Sequence, residues 1–239
     1  MSHPAFTDAE LDSTAHAPAN HDPSCCKAAG RPRAADMEAR LESLLETAGC
    51  LFLQNGYGKV SLESIAREAH VAVRTIYVKF GGKSGLFNAV IARRRARYFA
   101  TMADLQTDMR PIEQILGDFA MRFIELISKP EAISLHRMVL AEAASNPELA
   151  VTFNQVGPAQ TRELLGRFFS RPDIKTLFSP KVPHEMLAIH LLNCIMGDQL
   201  SRMLFPAVTE PSEAEMRATV ALGLELFFNG TLRRGAPAA

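Results

Sequence analysis

Apolar residues recur at helical spacing in three segments of the first hundred residues. From Ala35 onward, leucines and alanines repeat every three or four positions until Asn55-Gly56, which predicts a helix with one buried face. Ser61 suits the N-cap of a second helix, Leu62–Glu68, and after a turn of about three residues Val73–Phe80 form a third. Two very short helices joined by a tight turn predict a helix-turn-helix.

Helical periodicity continues beyond residue 100, and no alternating strand pattern interrupts it. Proline stands near the start of several of these segments, where its missing N–H leaves no helical hydrogen bond unmade. The predicted helices cover residues 112–128, 131–144, 148–169, 184–205 and 212–228. The predicted fold class is therefore all-α.

Charge is balanced over the whole chain, with 26 basic and 26 acidic residues, but it is unevenly distributed. Residues 27–100 carry 13 basic and 6 acidic side chains, a net charge of +7. This concentration predicts a polyanionic partner for that segment. Its densest run, Arg93-Arg94-Arg95 with Arg97, is typical of a solvated helix face, because residues at these spacings cannot all point to one side.

Composition also bounds the environment of the protein. No uncharged apolar run approaches the ~20 residues of a bilayer-spanning helix, so we predict no membrane insertion. The first 26 residues contain neither the basic start nor the apolar stretch of a secretory signal, which indicates a cytoplasmic protein. Four cysteines, two of them adjacent at Cys25 and Cys26, do not make a disulfide scaffold.

Two other classes of protein, a metal or redox sensor and an enzyme, find little support in the sequence. His190 and Cys194 lie four residues apart on one helical face, but neither this pair nor Cys25 with Cys26 has the recurring spacing of a zinc site. We predict no metal and no cofactor, while a metal or redox role for these residues stays open. The sequence has no nucleophile motif, phosphate loop or paired carboxylates in a recognisable context, so we predict no catalytic residues and no enzyme.

The helix-turn-helix segment carries a longer pattern of residue types at set intervals. The pattern spans roughly residues 38–92 and comprises Ala48-Gly49-Cys50-Leu51-Phe52, Gly56-Tyr57, Ser61, Ile65-Ala66, Val71, Thr75-Ile76-Tyr77, Phe80, Lys83 and Leu86-Phe87. It resembles the TetR family of bacterial transcriptional regulators. The resemblance implies an all-helical homodimer whose N-terminal domain binds double-stranded DNA and whose C-terminal domain binds a small-molecule effector.

The outward residues of the third helix are the candidate base contacts. A recognition helix presents its N-terminal half to the base edges in the major groove, which indicates Arg74, Thr75 and Lys79. Arg74 can donate two hydrogen bonds to a guanine, and Thr75 can offer a methyl group to thymine or a hydroxyl to phosphate. Lys79 supplies a positive charge.

Three further residues are candidates for the phosphate backbone. Lys83 begins the next helix, where free N–H groups and the helix dipole also attract an anion. Tyr77 either packs on the domain or gives its hydroxyl to a phosphate, and Ser61 either only caps its helix or also faces the backbone. The sequence departs from the family pattern at His70, which replaces a turn glycine, and at Ala72, which replaces a capping serine, so we expect a less stable turn.

The C-terminal segment offers candidates for an effector pocket and a dimer seam. Residues 135–158 resemble the AefR-like class of TetR C-terminal domains, a likeness that names no effector. Phe119, Phe123, Met138 and Phe153 are large apolar residues that could line a pocket, although such stripes usually form core. Helix 184–205 is apolar nearly all round, which predicts cover by a second subunit, with helix 212–228 beside it. The predicted seam residues are Leu191, Cys194, Ile195, Gly197, Ser201 and Phe227.

These observations predict four segments and one function. Residues 1–32 form a disordered tail with a basic arm, 33–84 the helix-turn-helix domain, 85–232 the helical effector-binding and dimerisation domain, and 233–239 a second disordered tail. The predicted function is a ligand-responsive transcriptional regulator, in the first instance a repressor released from a palindromic operator by a small apolar or amphipathic effector. Activation instead of repression, the operator and the effector stay open.

Overall fold

The structure, a computed structural model, describes residues 34–100, 104–199, 201, 204–205 and 211–232. The predicted tails at 1–32 and 233–239, with Cys25 and Cys26, lie outside the described residues. Within the described ranges the chain forms helices and no strand, with an isolated antiparallel bridge between Phe178 and Leu232. The all-α prediction is confirmed. None of the helices described has both the length and the apolar character needed to cross a membrane.

The chain divides into two units at Glu38 and Ala39, and every contact given below lies within the second, Ala39–Ala239. The helices are α1 (Ala34–Asn55), α2 (Leu62–Glu68), α3 (Val73–Phe80), α4 (Lys83–Phe99), α5 (Ile112–Ser128), α6 (Pro130–Glu142), α7 (Pro147–Asn154), α8 (Gln160–Phe169), α9 (Pro172–Lys175), α10 (His184–Met196) and α11 (Glu213–Thr231). The predicted bounds of α2, α3 and α5 are confirmed.

One apolar core joins the first four helices to part of the C-terminal half. Phe52 of α1 and Phe87 of α4 pack edge to face with ring centroids 5.7 Å apart, and the ring of Tyr57 lies 5.4 Å from each. Ile65 of α2 and Ile76 of α3 are fully buried beside them. The core is completed by residues of α6, α7 and the turn that follows, namely Leu135, Val139, Leu149 and Val156. The helix-turn-helix segment therefore shares one core with α4, α6 and α7.

A second apolar core lies among α5, α8, α10 and α11. The apolar face of α5 is buried there, including Ile115, Leu116 and Phe119. The helices α10 and α11 approach each other most closely at Gly223, where a Cβ atom would collide with the carbonyl group of Cys194. Gly223 thus lets two helix backbones pack at short distance, as small residues do at helix crossings.

Two predicted helices are interrupted in the structure, so their continuity was wrong. Helix 148–169 is divided by a π-helical turn, Gln155–Ala159, which contains Pro158. Proline has no N–H and its ring crowds the carbonyl four residues earlier, and a wider turn accommodates both. Helix 184–205 ends at Met196, because Gly197 adopts φ 51° and ψ −130°, a conformation that only glycine takes readily.

Candidate DNA-binding interface

Helix α3 presents one buried face and one exposed face. Ile76 is fully buried, whereas Arg74 and Lys79 are exposed and Thr75 is half-buried. Tyr77 is 54% exposed and Val78 is 75% exposed, so both side chains extend from the same short helix. Within the described residues Arg74 and Lys79 have no hydrogen-bond or ion-pair partner. This outward surface therefore combines two free cations with an apolar and a phenolic side chain.

The turn between α2 and α3 contains His70 and Ala72, the two residues that depart from the family pattern. Ser61 caps α2 by accepting a hydrogen bond from the N–H of Ser64 at 3.0 Å. His70 has φ 53°, a left-handed conformation that costs a side chain more than it costs glycine. Ala72 occupies the N-cap of α3 and makes no side-chain cap. The turn is closed by backbone bonds instead, such as that from the Val71 N–H to the Ala66 carbonyl at 2.9 Å.

The end of α3 is packed tightly against the start of α4. Gly81 terminates α3 in a left-handed conformation, with its N–H donating to the Tyr77 carbonyl at 2.9 Å. A Cβ atom at Gly85 would collide with the Phe80 carbonyl. The absence of a side chain at this position lets α4 hold the recognition helix at short range.

Lys83 begins α4 as predicted, but its side chain is directed to the turn between α1 and α2. Its Nζ donates to the Gly58 carbonyl at 3.3 Å and lies 4.4 Å from the centroid of the Tyr57 ring. Burial lowers the pKa of Lys83, while the carboxylates of Glu142 and Glu148 raise it. An ammonium group has three N–H donors, so one of them is used by Gly58 and the others can serve a phosphate.

Three of the four arginines in the run on α4 contact other helices of the protein. Arg93 forms an ion pair with Glu42 of α1, and Arg97 lies 3.6 Å from Glu42 and 3.9 Å from Glu46. Arg95 donates from Nη1 to the side-chain oxygen of Gln160 at 3.2 Å. These contacts tie α4 to α1 and α8.

Comparisons with known proteins agree with this geometry. Residues 44–90 match the family described as bacterial regulatory proteins, tetR family, and residues 114–230 match the AefR-like transcriptional repressor C-terminal domain. The chain belongs to the TetR family. This is a family of DNA-binding transcriptional regulators and not of enzymes, and both the family and the AefR-like class predicted from the sequence are confirmed.

The individual proteins to which the chain is similar have low sequence identity to it, between 20% and 33%. The chain is 33% identical over 94 residues to the HTH-type transcriptional repressor ComR of Escherichia coli K12, and the match covers 39% of this chain and 43% of ComR. It therefore spans less than half the length of that relative. The flavonoid-responsive regulator FrrA superposes with a TM-score of 0.68 at 20% identity, over 83% of this chain and 100% of FrrA. A TetR-family regulator from Mesorhizobium loti gives 0.67 at 21% identity, over 82% and 98% of the two chains. These two structures share the TetR fold.

The four candidate pocket residues fall into two separate cores. Phe119 is fully buried and stacks on half-buried Phe123, with centroids 5.9 Å apart, in the C-terminal core. Met138 and Phe153 lie in the core of the helix-turn-helix, where the Phe153 ring is 4.8 Å from His136. Burial lowers the pKa of His136, whose Nδ1 donates to the Ala132 carbonyl at 2.8 Å. The structure does not bring these four side chains together around one space.

The predicted seam residues also divide into two groups. Leu191, Ile195 and Phe227 are fully buried in the C-terminal core and have no surface left for a partner, so this part of the predicted seam requires correction. The periodicity of an all-round apolar helix does not tell which of its faces covers its own core. Cys194 is half-buried, and Gly197 and Ser201 are exposed.

Two exposed leucines on α11 were not predicted from the sequence. Leu222 and Leu226 lie one turn apart on α11 and are 62% and 68% exposed. Their spacing was visible in the sequence, but only the structure shows that they point away from the core.

His190 and Cys194 do not belong to a metal-binding cluster. Across the described residues, no three or more His, Cys, Asp or Glu side chains are grouped to hold a metal ion.

Proposed function

We propose that this TetR-family protein is a homodimeric repressor that binds a palindromic operator and leaves it when a small apolar or amphipathic molecule binds. The observation that carries the proposal is the outer face of α3, where Arg74 and Lys79 are exposed and unpaired on a helix held by α2 and α4. We also propose the division into a helix-turn-helix domain, 33–84, and an effector-binding and dimerisation domain, 85–232.

In the proposed complex, α3 lies in the major groove. Arg74 donates two hydrogen bonds to a guanine, and Lys79 and Thr75 contact neighbouring bases or phosphates. Val78 lies one helical turn after Arg74, and its exposed methyl groups suit contact with a thymine methyl. Ser61, Tyr77 and Lys83 are proposed to contact the phosphate backbone.

A titration of two variants tests this assignment. Arg74→Ala should cost about 1–3 kcal/mol of binding free energy and relax base preference at one position, whereas Lys83→Ala should weaken all duplexes alike. Lys175→Ala is the matched control, because it removes an exposed positive charge from α9. Unchanged affinity in both Arg74→Ala and Lys83→Ala would remove α3 and the start of α4 from the interface.

The proposed dimer uses the exposed face of α10 and α11. Leu222 and Leu226 continue a stripe that begins at Ala218, and Met186 of α10 is also exposed. An apolar stripe of this kind on a folded protomer is typical of a helical subunit interface. A two-fold axis through this face would pair two recognition helices with two half-sites of a palindrome.

The effector proposal rests on the phenylalanine-rich core of α5, α8, α10 and α11 and on the relatives. FrrA is named for its response to flavonoids, and ComR is named a repressor. Phe119, Phe123, Met138 and Phe153 remain the proposed pocket residues, and joining them in one site would require the two cores to rearrange. A fluorescence-anisotropy screen of planar aromatic compounds, flavonoids included, tests for release of the operator duplex. Compounds that bind without changing operator affinity would contradict the proposed regulation, and compounds that strengthen binding would indicate the opposite response.

A further inference from the structure

The last residue of α6 contacts the turn between α1 and α2. One carboxylate oxygen of Glu142, Oε2, accepts a hydrogen bond from the Gly58 N–H at 2.6 Å and another from Nδ2 of Asn146 at 3.3 Å. Glu142 and Gly58 are 84 positions apart in the sequence. The contact therefore links the C-terminal half of the chain to the helix-turn-helix segment.

The turn is shaped to receive this carboxylate. A Cβ atom at Gly56, which has φ 81°, would lie 2.6 Å from Oε1 of Glu142, and one at Gly58 would lie 3.2 Å from Oε2. Any side chain at Gly56 would therefore displace the carboxylate. A short hydrogen bond from a backbone N–H to an ionised acceptor is among the stronger contacts in proteins. The two glycines and Glu142 thus form one fitted contact.

Gly58 also connects Glu142 to a proposed DNA contact. The N–H of Gly58 donates to Glu142, and its carbonyl accepts from Nζ of Lys83 at the start of α4. The neighbouring Ser84 lies within hydrogen-bond distance of Thr152 of α7, with 3.2 Å between the hydroxyl oxygens. The N-terminal end of α4, which directly follows the recognition helix, is therefore held through groups of the C-terminal domain on two sides.

We propose that Glu142 is a positioning residue for DNA binding, which acts through Gly58 on Lys83 and holds the start of α4 in the arrangement that binds the operator. The inference rests on the proposed function, in which the protein without effector is the form that binds DNA. Movement of the end of α6 would break the hydrogen bond between Glu142 and Gly58. The Lys83 side chain, which donates to the Gly58 carbonyl, would then lose its position. Glu142 is thereby one contact through which a change in the C-terminal domain reaches the interface.

The experiment is a double-mutant cycle between Glu142→Ala and Lys83→Ala in binding to a duplex that the wild-type protein selects from genomic fragments. Glu142→Ala alone should weaken binding about threefold to tenfold, and in the Lys83→Ala background its effect should fall below about twofold, because the two residues act in one chain of contacts. Glu142→Gln, which keeps an acceptor oxygen but loses the charge, should weaken binding less than Glu142→Ala does. Glu131→Ala removes an exposed carboxylate from the other end of α6 and serves as the control, with an effect independent of Lys83.

A second measurement separates positioning from general stability. Amide hydrogen exchange should become faster at Gly58 in Glu142→Ala and remain unchanged in the core of α5. If Glu142→Ala does not fold, Gly58→Ala replaces it, since the added methyl group would lie against Oε2 and should weaken operator binding in the same way.

The possible failures are distinguishable. A wild-type protein that selects no duplex would refute the proposed function itself. A wild-type protein that binds its operator while Glu142→Ala binds equally well or more tightly would overturn the role of Glu142 alone. Effects of Glu142→Ala and Lys83→Ala that simply multiply would overturn it as well.

Discussion

The double substitution Leu222→Lys/Leu226→Lys should dissociate the proposed dimer without unfolding the protomer. Both leucines are exposed on α11, at 62% and 68%, so lysine at these positions costs the isolated protomer little. Complete burial of a leucine contributes about 1.5–3 kcal/mol. Because each leucine is still about two thirds exposed in the protomer, roughly two thirds of that free energy can be gained when the dimer forms. A two-fold interface contains both residues twice, which gives about 4–8 kcal/mol of association free energy from these side chains. Its loss corresponds to an increase of roughly three to six orders of magnitude in the dimer dissociation constant.

The assay is sedimentation velocity across a dilution series, with far-UV circular dichroism to verify the fold. Leu140→Lys is the matched control, because Leu140 is 63% exposed but lies on α6. We expect wild type and Leu140→Lys to sediment as dimers and the double variant as a folded monomer that binds the operator weakly. A double variant that remains a dimer would place the interface elsewhere, and a monomeric wild type would refute the proposed dimer.

Three further substitutions test the local energetics. His70→Gly should raise the free energy of unfolding by about 0.5–1 kcal/mol in urea titration, because glycine relieves the left-handed conformation; a loss of stability would show that the His70 side chain contributes more than its strain costs. Gly223→Ala should destabilise by about 1–3 kcal/mol despite the better helix propensity of alanine, whereas Gly230→Ala on the same helix, with open space around its Cβ, should be neutral or stabilising. Equal effects of the two would contradict the close crossing. Because burial lowers the pKa of His136, the unfolded chain takes up the proton first, so stability should fall as the pH drops below about 6.5. His136→Phe should reduce that slope between about pH 6.5 and 5.5, and an unchanged slope would assign it to other groups.

Local features of the sequence predicted the helix-turn-helix well. Ser61 at an N-cap and the spacing of Ile65 and Ile76 determine α2 and α3, because capping and burial of one face act within a few residues. The unfavourable turn was visible because His70 and Ala72 depart from the TetR-family pattern at that turn. Periodicity alone did not reveal that Gly197 ends α10, since a glycine within an apolar pattern is equally compatible with close helix packing.

Contacts between distant parts of the chain could not be predicted in this way. Glu142 is one of many acidic residues on amphipathic helices, and only the fold brings it to Gly58. Likewise, α10 and α11 both carry apolar residues on several sides. Their tertiary packing decides that Phe227 covers the protomer's own core while Leu226 faces outward.

The central claim, sequence-specific DNA binding through α3, is tested most directly by one ratio. The purified wild-type protein selects genomic fragments, and its dissociation constants for the selected duplex and for a shuffled duplex of equal composition are measured at near-physiological salt. We expect the selected duplex to bind at least about 10³-fold more tightly. Equal affinity for the two duplexes would contradict the account.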